Sequence, residues 1–530
     1  MPETPVFSKA AIAAPHSLAS EAGRAVLAEG GNAIEAMVAM AATIAVVYPH
    51  MNAIGGDGFW LIHEPGGRVR AIEACGFAGS RATIERYRAF GYEAIPPRGP
   101  HAALTVPGAI GGWAAALSLA KEHGGRLPLS ILLGDAIRHG REGYVVSASE
   151  GRDEAKEIAL IKQAPGFLET YYFNGERPKG GEKRKVEPLA ATLDHLAQAG
   201  LDDFYRGDVG REIAADCERI GSPVTRADLE RYRAALRDPL SLKIKGATLY
   251  NCPPPTQGIA SLVILGLFAR LNVREADGFD YFHGLVESTK RGLRLRDQIV
   301  TDFDRLKRNP ADFLSAAWLD KQAAQISMTS SAPFPMPPDR GDTVWMGAID
   351  GNGLAVSYIQ SVYWEYGSGC VLPKTGVLLQ NRGAAFSLDA NALNPLEPGR
   401  RPIHTLNPPL AVMDDGRVCV YGAMGGDGQP QFQAQVFSRW AMYGRSPAEA
   451  VDAPRYLLGK TWGSANLSLK LESRVDENVA RRLESVGQIV ERRAEPYADD
   501  FGHAGMVVKH AKGHVEAVHD PRSDGGGAGI

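Results

Sequence analysis

The feature that most constrains the fold of this chain is a proline-rich segment that runs directly into a strand pattern. Residues 331–340 read Ser-Ala-Pro-Phe-Pro-Met-Pro-Pro-Asp-Arg. Proline fixes φ and lacks a backbone N–H, so this segment is excluded from helix interiors and central strands. Beyond it, Thr343 opens the apolar runs 344–349 and 354–359, and the glycine-rich residues 350–353 between them predict a β-hairpin. The pattern therefore predicts an exposed loop immediately before a strand.

The regions before and after this loop differ in their predicted elements. Before it, the patterns predict a mostly helical middle from 110 to 325, helices at 16–27, 33–47, 258–271 and 281–305, a hairpin at 59–63 and 69–73, and one strand at 240–251. After it, they predict strands at 376–379, 410–413, 417–422, 504–509 and 514–518, and helices at 431–443 and 476–486. Paired strands with helices grouped outside them predict stacked sheets between helical layers, which is an α+β fold.

The composition is that of a globular protein that does not bind polyanions. The 58 basic and 61 acidic residues give a net charge of −3 without a long run of one sign, which argues against nucleic acid and anionic membranes as partners. The N-terminus lacks a signal-peptide pattern, and the longest apolar run, residues 36–48, is too short to span a bilayer. The five cysteines are scattered and the histidines show no HExxH spacing. We predict a cytoplasmic protein without a metal or cofactor.

Three glycine clusters, at residues 55–58, 422–428 and 525–527, are candidate binding loops. None matches the GxxxxGK[ST] phosphate loop, or a GxGxxG loop between a strand and a helix. Tight turns explain the cluster at 525–527 on their own. For residues 422–428 another interpretation stays open, in which the backbone N–H groups of small residues face a developing oxyanion. The GxSxG nucleophile elbow is absent, so isolated serines are poor candidates for a nucleophile.

The position of Thr343 allows two interpretations. A threonine at the start of a strand is ordinarily a β-branched strand residue. The loop before it supports a second possibility, because cleavage there makes Thr343 an N-terminus whose own α-amine serves as general base. That amine titrates near about 7.7–8.0, so a useful fraction of it is unprotonated at neutral pH. An exposed, proline-rich loop tolerates such a cut.

Six motifs in a fixed order favour the second interpretation. They read "GGNAIEAMVAMAATIAVVYPHMNAIGGDGFWLI" (30–62), "TVWMGAIDGNGLAVSYIQSVYWEYGSG" (343–369), "RPIHTLNPPLAV" (401–412), "GAMGGDGQ" (422–429), "APRY" (453–456) and "DPRSDGGGAG" (520–529). Together they resemble the γ-glutamyltransferase family of N-terminal-nucleophile (Ntn) hydrolases, from about residue 10 to the C-terminus. The resemblance implies a four-layer αββα sandwich that is synthesised as one precursor and cleaves itself.

The resemblance also implies where the precursor is cut and which residues react. The cut falls between Asp342 and Thr343 and leaves a large subunit, 1–342, and a small subunit, 343–530. These subunits form one αββα domain, as a heterodimer or a dimer of heterodimers. The implied catalytic roles fall on Thr343 as nucleophile, Ser361 as the hydroxyl that supports it, and Gly425 and Gly426 as oxyanion donors.

The substrate pocket departs from the family's γ-glutamyl pattern. The Arg-Glu pair that holds the substrate α-carboxylate becomes Ile72 and Glu73 here, so only the Glu73 contact is retained. The aspartate that holds the α-amine becomes Ala385. Each lost charged contact of this kind costs roughly 1.5–3 kcal/mol of binding. Efficient γ-glutamyl transfer is therefore not expected.

Other changes in the pocket suit a small anionic substrate without an amine. Arg382 replaces a glutamine and can bind a carboxylate in a bidentate fork. The family's paired serines become His404 and Thr405, and its substrate asparagine becomes Tyr363. Bulky Trp364 and Tyr366 narrow the site. These changes resemble the branch of the family that hydrolyses oxamate, the monoamide of oxalic acid, in purine-nitrogen breakdown.

The sequence therefore predicts an Ntn amidohydrolase whose partner is a small carboxylate amide such as oxamate. Several alternatives stay open at this point. Arg382 can instead be a structural ion-pair partner, and His404 a satisfied core histidine. The enzyme can instead be a γ-glutamyltransferase, a glutathione hydrolase or an acylase with a rearranged pocket. An uncleaved, non-catalytic scaffold is the alternative outside enzymes.

Overall fold

The described part of the chain comprises residues 2–152, 158–172, 175–177, 179–334, 342–459 and 468–530 of a computed structural model. The predicted processing loop is covered only in part, because residues 335–341 lie outside these ranges. Across the described residues, none of the helices combines the length and the apolar character that a bilayer-spanning segment needs.

The strands and helices of the described residues follow one another along the whole chain. The strands are β1 (Val6–Phe7), β2 (Ala11–Ala14), β3 (Asp57–His63), β4 (Val69–Ala74), β5 (Tyr144–Val145), β6 (Lys183–Arg184), β7 (Ala235–Arg237), β8 (Leu240–Ile244), β9 (Ala247–Asn251), β10 (Asp342–Ile349), β11 (Ala355–Tyr363), β12 (Leu410–Met413), β13 (Val418–Ala423), β14 (Tyr456–Leu458), β15 (Leu469–Leu471), β16 (Val490–Arg492), β17 (Ala504–Lys509), β18 (Val515–His519) and β19 (Gly526–Gly529). The helices are α1 (Ser17–Ala28), α2 (Ala33–Val47), α3 (Ile84–Ala89), α4 (Ala109–Glu122), α5 (Leu129–Leu132), α6 (Gly134–Glu142), α7 (Ala148–Arg152), α8 (Ile158–Ile161), α9 (Phe167–Tyr171), α10 (Glu187–Ala199), α11 (Asp203–Arg206), α12 (Asp208–Ile220), α13 (Arg226–Arg231), α14 (Gly258–Phe268), α15 (Phe279–Ile299), α16 (Ala316–Ala323), α17 (Gln429–Ala441), α18 (Pro447–Asp452) and α19 (Glu477–Ser485).

Two seven-stranded sheets form the centre of the fold. The first has the order β19-β2-β10-β11-β3-β4-β7, and the second has the order β1-β18-β17-β13-β12-β9-β8. All of their strand pairs are antiparallel. Each sheet combines strands from before and after residue 343, so both parts of the chain are needed to complete either sheet.

Side-chain alternation along the strands builds three layers of core. On β10, Trp345 belongs to the core between the two sheets, while Val344 and Met346 belong to the core beneath the helices. Helices α2 and α4 pack on the outer face of the first sheet, and α14 and α17 pack on that of the second. All fifteen residues of helix α2 are buried, so this helix has no solvent-exposed face. The predicted α+β, αββα architecture is confirmed.

Most of the predicted elements are present, with small shifts at their ends. The predicted hairpin at 344–359 is β10 and β11, paired in antiparallel register. The predicted helix at 281–305 is α15, which starts earlier and ends at Ile299 because Val300 turns to extended backbone. Residues 303–305 then form a separate 3-10 turn that Asp302 caps.

Three predictions in strand regions are wrong. The strand predicted at 240–251 is the hairpin of β8 and β9, because Gly246, at φ +84°, provides a tight turn. Residues 376–379 make only isolated bridges, to Gly55 and Val371, instead of a strand. The glycines at 525–527 do not form a tight turn, because Gly526 and Gly527 are the first two residues of β19. A side chain on Gly527 would lie 2.2 Å from the Ala517 carbonyl oxygen, so close packing explains the glycine there.

Candidate active site

Thr343 lies at the start of β10, between the two sheets. It shares the face of Trp345 by strand alternation, and it is buried. Asp342 pairs with Tyr363 and Val344 pairs with Gln360, so two residues of β11 lie opposite the single residue Thr343. This is a β-bulge, a device that redirects side chains near functional sites. The predicted nucleophile therefore sits at an irregular, buried strand end.

The bulge also positions the predicted supporting hydroxyl. Ser361 pairs with Asp57 across β11 and β3 and is buried. Its Oγ accepts a hydrogen bond of 2.8 Å from the backbone N–H of Tyr363. Tyr363 has a backbone φ of +85°, which few residues other than glycine adopt. The hydrogen bond from its N–H to Ser361 therefore stabilises an unusual backbone conformation.

The loop after β13 carries the two predicted oxyanion glycines. Gly425 has φ of +118° and Gly426 has φ of +51°, and a Cβ on Gly425 would lie 2.8 Å from the Phe432 ring. A glycine is therefore required at Gly425 both for its φ and for space. The next residue, Asp427, forms a buried ion pair with Arg296, which anchors the loop to α15.

Four of the predicted substrate-binding residues come together beside this loop. The guanidinium of Arg382 lies 3.8 Å from the centroid of the Tyr363 ring. Its Nη1 donates to Thr405 Oγ1 at 3.2 Å. His404 precedes Thr405 in the chain, and the Arg382 charge lowers its pKa further after burial has already lowered it. The site thus holds a buried cation beside a neutral imidazole.

Gln257 links the glycine loop to the pocket. Its Nε2 donates to the carbonyl oxygens of Thr405, at 2.7 Å, and of Gly426, at 2.9 Å. Its Oε1 accepts from Arg296 Nη1 at 2.9 Å. One buried side chain therefore fixes the position of the proposed oxyanion loop relative to the proposed substrate groups.

Asp57 is a site residue that the sequence interpretation missed. Its Oδ1 accepts from the backbone N–H groups of Gly76, at 3.0 Å, and Gly108, at 3.1 Å, and from Gln380 Nε2 at 3.0 Å. Among the described residues its Oδ2 makes no hydrogen bond, and the Nε2 of His404 lies 3.5 Å away. Burial raises the pKa of this carboxyl to about 7. The one available signal was an acidic residue inside the Gly-Gly-Asp-Gly entry to a fully buried strand.

Glu73 is placed differently from the other predicted pocket residues. Its carboxylate is bound by Arg237, at 3.1 Å, and by Arg401, at 2.9 Å. Ile72 points into the helix-side core of the first sheet. The position at which we expected a lost arginine anchor is therefore a core position in this chain, and the case for a changed pocket rests on Arg382 and its neighbours.

A chain of buried amides, also missed in the sequence, reaches Thr343. Gln429 Nε2 lies 3.3 Å from Thr343 Oγ1. Gln429 Oε1 accepts from Asn407 Nδ2 at 3.2 Å, and Asn407 Oδ1 accepts from Asn251 Nδ2 at 3.2 Å. These residues are far apart in sequence, and no spacing rule connects them.

One group of potential metal ligands occurs in the described residues, at the C-terminal ends of β3 and α4. Glu64, Glu122 and His123 place ligand atoms within 4.8 Å of one another. Arg70 forms ion pairs with both carboxylates of this group. The arginine supplies the positive charge that a metal ion would supply, so we assign no metal to it.

The fold and this site define a class of protein: an αββα sandwich with a buried threonine hydroxyl at a strand end and a glycine loop near it. The family profile described as Gamma-glutamyltranspeptidase matches residues 19–530. The chain belongs to the γ-glutamyltranspeptidase family and is a hydrolase that acts on amide C–N bonds.

Several relatives are similar to this chain over nearly their full length. The oxamate amidohydrolase proenzyme of Klebsiella pneumoniae is 48% identical over 97% of both chains. The glutathione hydrolase-like YwrD proenzyme of Bacillus subtilis is 36% identical over 100% of both chains. Among solved structures, the cephalosporin acylase from Bacillus halodurans has a TM-score of 0.92 at 30% identity, covering 100% of this chain and 97% of its own.

Proposed function

We propose that this protein is a self-processing amidohydrolase that hydrolyses a small carboxylate amide such as oxamate through an acyl-enzyme on Thr343. The observation that carries the substrate assignment is the buried Arg382 guanidinium, held against Tyr363 and Thr405 beside a neutral His404. A buried cation suits a substrate with one carboxylate and no amine. The similarity to the Klebsiella pneumoniae oxamate amidohydrolase proenzyme supports the same substrate.

Maturation precedes this activity. Thr343 Oγ attacks the carbonyl carbon of Asp342, the peptide C–N bond breaks, and the acyl group passes to Oγ as an ester. Water hydrolyses the ester, which leaves a carboxylate on Asp342 and a free α-amine on Thr343. The products are subunits 1–342 and 343–530, which remain one folded body because each sheet contains strands of both.

Turnover of the substrate uses the new amine. The α-amine of Thr343 accepts the hydroxyl proton while Oγ attacks the amide carbonyl. The carbonyl oxygen becomes an oxyanion, which the backbone N–H groups of Gly425 and Gly426 stabilise. The C–N bond then breaks, the amine returns the proton to the leaving ammonia, and water hydrolyses the resulting ester. For oxamate the products are oxalate and ammonia.

The nucleophile is tested by Thr343→Ala. The wild-type chain of 56.8 kDa should separate on a denaturing gel into pieces of about 37 and about 20 kDa, in proportion to their lengths. The Thr343→Ala chain should stay at full length and release no ammonia from oxamate, because both steps need the hydroxyl. A Thr343→Ala protein that is cleaved and active would overturn the assignment.

The substrate is tested by comparing oxamate with a γ-glutamyl anilide. We expect a higher kcat/KM for oxamate, and Arg382→Ala should lower it roughly 10- to 150-fold, the loss of one hydrogen bond to a charged group. Arg382→Lys should also be impaired because the planar fork is lost. Both variants should still mature. Arg439→Lys is a control, since Arg439 is equally buried but is held by Asp277 and the Pro454 carbonyl.

Each of two results would contradict one part of this proposal. A wild-type preference for the γ-glutamyl anilide would reject oxamate as the preferred substrate and favour the glutathione hydrolase alternative. An Arg382→Ala enzyme that equals wild type on oxamate would reject Arg382 as the residue that binds the substrate carboxylate.

A further inference from the structure

The Thr343 hydroxyl contacts a side chain to which neither the motifs nor the proposed mechanism gives a role. Gln429 begins α17, is completely buried, and places Nε2 3.3 Å from Thr343 Oγ1. A carboxamide either donates through its NH₂ group or accepts through its oxygen. Which end faces Thr343 decides whether Gln429 supports or opposes ionisation of the hydroxyl.

One end of the buried amide chain fixes this orientation. Asn407 Nδ2 donates to the carbonyl oxygen of Thr405 at 3.0 Å, and a carbonyl oxygen is always an acceptor. The Asn407 atom that faces Thr405 is therefore Nδ2, and the same atom lies 3.2 Å from Gln429. Because Nδ2 is a donor, the Gln429 atom facing it must be the acceptor Oε1. The NH₂ group of Gln429 is then left facing Thr343.

The other end of the chain gives the same answer independently. Asn251 Oδ1 accepts from the backbone N–H of Cys252 at 2.9 Å, and a backbone N–H is always a donor. Asn251 therefore presents its NH₂ group to Asn407 Oδ1, at 3.2 Å. All three amides are completely buried, so water does not compensate for a reversed one. Reversal would oppose two donors or two acceptors and leave a buried polar group without a partner.

We propose that Gln429 is a catalytic residue whose Nε2–H donates a hydrogen bond to the nucleophilic oxygen of Thr343. Because this bond occupies an acceptor site of Oγ, the hydroxyl hydrogen is directed away from Gln429, toward the α-amine that takes it. As the proton leaves, Oγ gains negative charge and the hydrogen bond from Gln429 strengthens. Gln429 itself neither gains nor loses a proton.

The same contact acts in both reactions of Thr343. In maturation the oxygen attacks the Asp342 carbonyl, and in turnover it attacks the substrate carbonyl. In each step the Oγ–C bond forms and the carbonyl π electrons move to the carbonyl oxygen. The donor lowers the energy of the attacking oxygen in both. This inference rests on the proposed role of Thr343 as nucleophile.

Two substitutions separate the donor from the volume of the side chain. Gln429→Met keeps the length and removes the donor, whereas Gln429→Glu keeps the shape and replaces the donor with a negative acceptor. Gln433→Met is the matched control. Gln433 lies one turn further along α17, is equally buried, and contacts the Asn407 carbonyl and Ser261 instead of Thr343.

Two rates should respond to loss of the donor. Gln429→Met should lower kcat for oxamate about 10- to 100-fold, somewhat less than the loss of an oxyanion donor, with KM changed less than about twofold. Its self-cleavage, followed on a denaturing gel, should slow relative to Gln433→Met. If Gln429→Met fails to mature while Gln433→Met matures normally, the slowed cleavage is itself the expected result.

The pH profile gives a readout that loss of packing would not change. In wild type, kcat/KM should rise with pH as the Thr343 amine loses its proton, near about 7.7–8.0. A carboxylate at Gln429→Glu stabilises the ammonium form, so the rising limb should move to higher pH. Gln429→Met should lower the profile without moving it. A Gln429→Met enzyme with the same kcat and the same pH profile as Gln433→Met would overturn the proposal.

The outcome also distinguishes this inference from the proposed function. If Thr343→Ala is inactive but Gln429→Met matures and turns over like Gln433→Met, only the role of Gln429 is wrong. If Thr343→Ala is active, the nucleophile is wrong and Gln429 loses its role with it.

Discussion

The buried carboxyl of Asp57 should make the stability of the fold depend on pH, and one substitution should remove that dependence. Its pKa is about 7 in the folded protein. In an unfolded chain it returns to about 3.9. A group with a raised pKa binds more protons in the folded state than in the unfolded state. The stability it contributes is therefore complete below about pH 4 and is lost as the pH rises to about 7.

The surroundings of Asp57 indicate why this loss occurs and what Asp57→Asn would change. Burial is the largest influence, the three hydrogen bonds to Oδ1 and the charge of Arg382 act against it, and the facing His404 is neutral. An asparagine keeps the accepting oxygen and presents an NH₂ group to His404 Nε2. The pKa shift is worth about 1.4 kcal/mol per pH unit. Between pH 5 and pH 8, the contribution of Asp57 to the free energy of unfolding of the wild-type protein should therefore fall by roughly 2–3 kcal/mol.

The measurement is urea-induced unfolding at pH 5, 6, 7 and 8, followed by tryptophan fluorescence. Both proteins carry Thr343→Ala, so that each is a single uncleaved chain. The free energy of unfolding of Asp57→Asn, minus that of its parent, should rise by about 2–3 kcal/mol between pH 5 and pH 8. Asp415→Asn is the control, because Asp415 is exposed and Arg417 lowers its pKa, so its difference should stay flat over this range. A constant difference for Asp57→Asn would refute the reasoning.

Two further substitutions test the glycine loop and the role of Glu73. Gly425→Ala places a Cβ 2.8 Å from the Phe432 ring at a φ of +118°, so the loop must shift. We expect kcat to fall on the order of 10²–10³-fold with little change in KM. Gly134→Ala is the control, because a Cβ there meets nothing within 4 Å, and its kcat should be unchanged. Glu73→Gln should lower the free energy of unfolding by about 1–3 kcal/mol through its bonds to Arg237 and Arg401 while KM for oxamate stays within about twofold. A large rise in KM at unchanged stability would instead place Glu73 in the substrate site.

The layers of the fold could be predicted because they depend on long apolar segments bounded by turn residues. The apolar runs at 344–349 and 504–509 and the apolar composition of α2 appear directly in the residue order. The errors occur where a short apolar run has no periodicity to interpret. The run at 376–379 is buried in the core without joining a sheet, and at 240–251 the turn depends on a single glycine, Gly246.

The site could be predicted only where the family resemblance assigns a role to a residue. The motifs include Thr343 and the glycine loop. The resemblance also pointed to Arg382, because a charge appeared where the family has none. Asp57 and Gln429 were missed because their partners come from distant parts of the chain. The three donors to Asp57 arise at residues 76, 108 and 380, and the partners of Gln429 at 343 and 407.

The last residue of the chain lies beside its early residues. Ile530 donates from its N–H to the Ala10 carbonyl oxygen at 3.0 Å, and its own carbonyl oxygen accepts from Lys9 N–H at 2.9 Å. A short linker can therefore join residue 530 to the start of the chain, and a circular permutant can begin at Thr343 and end at Asp342. After removal of an initiator methionine, such a protein would carry the threonine amine from synthesis, without any self-cleavage. We therefore expect the permuted chain to form the same site, although its segments are joined in a different order.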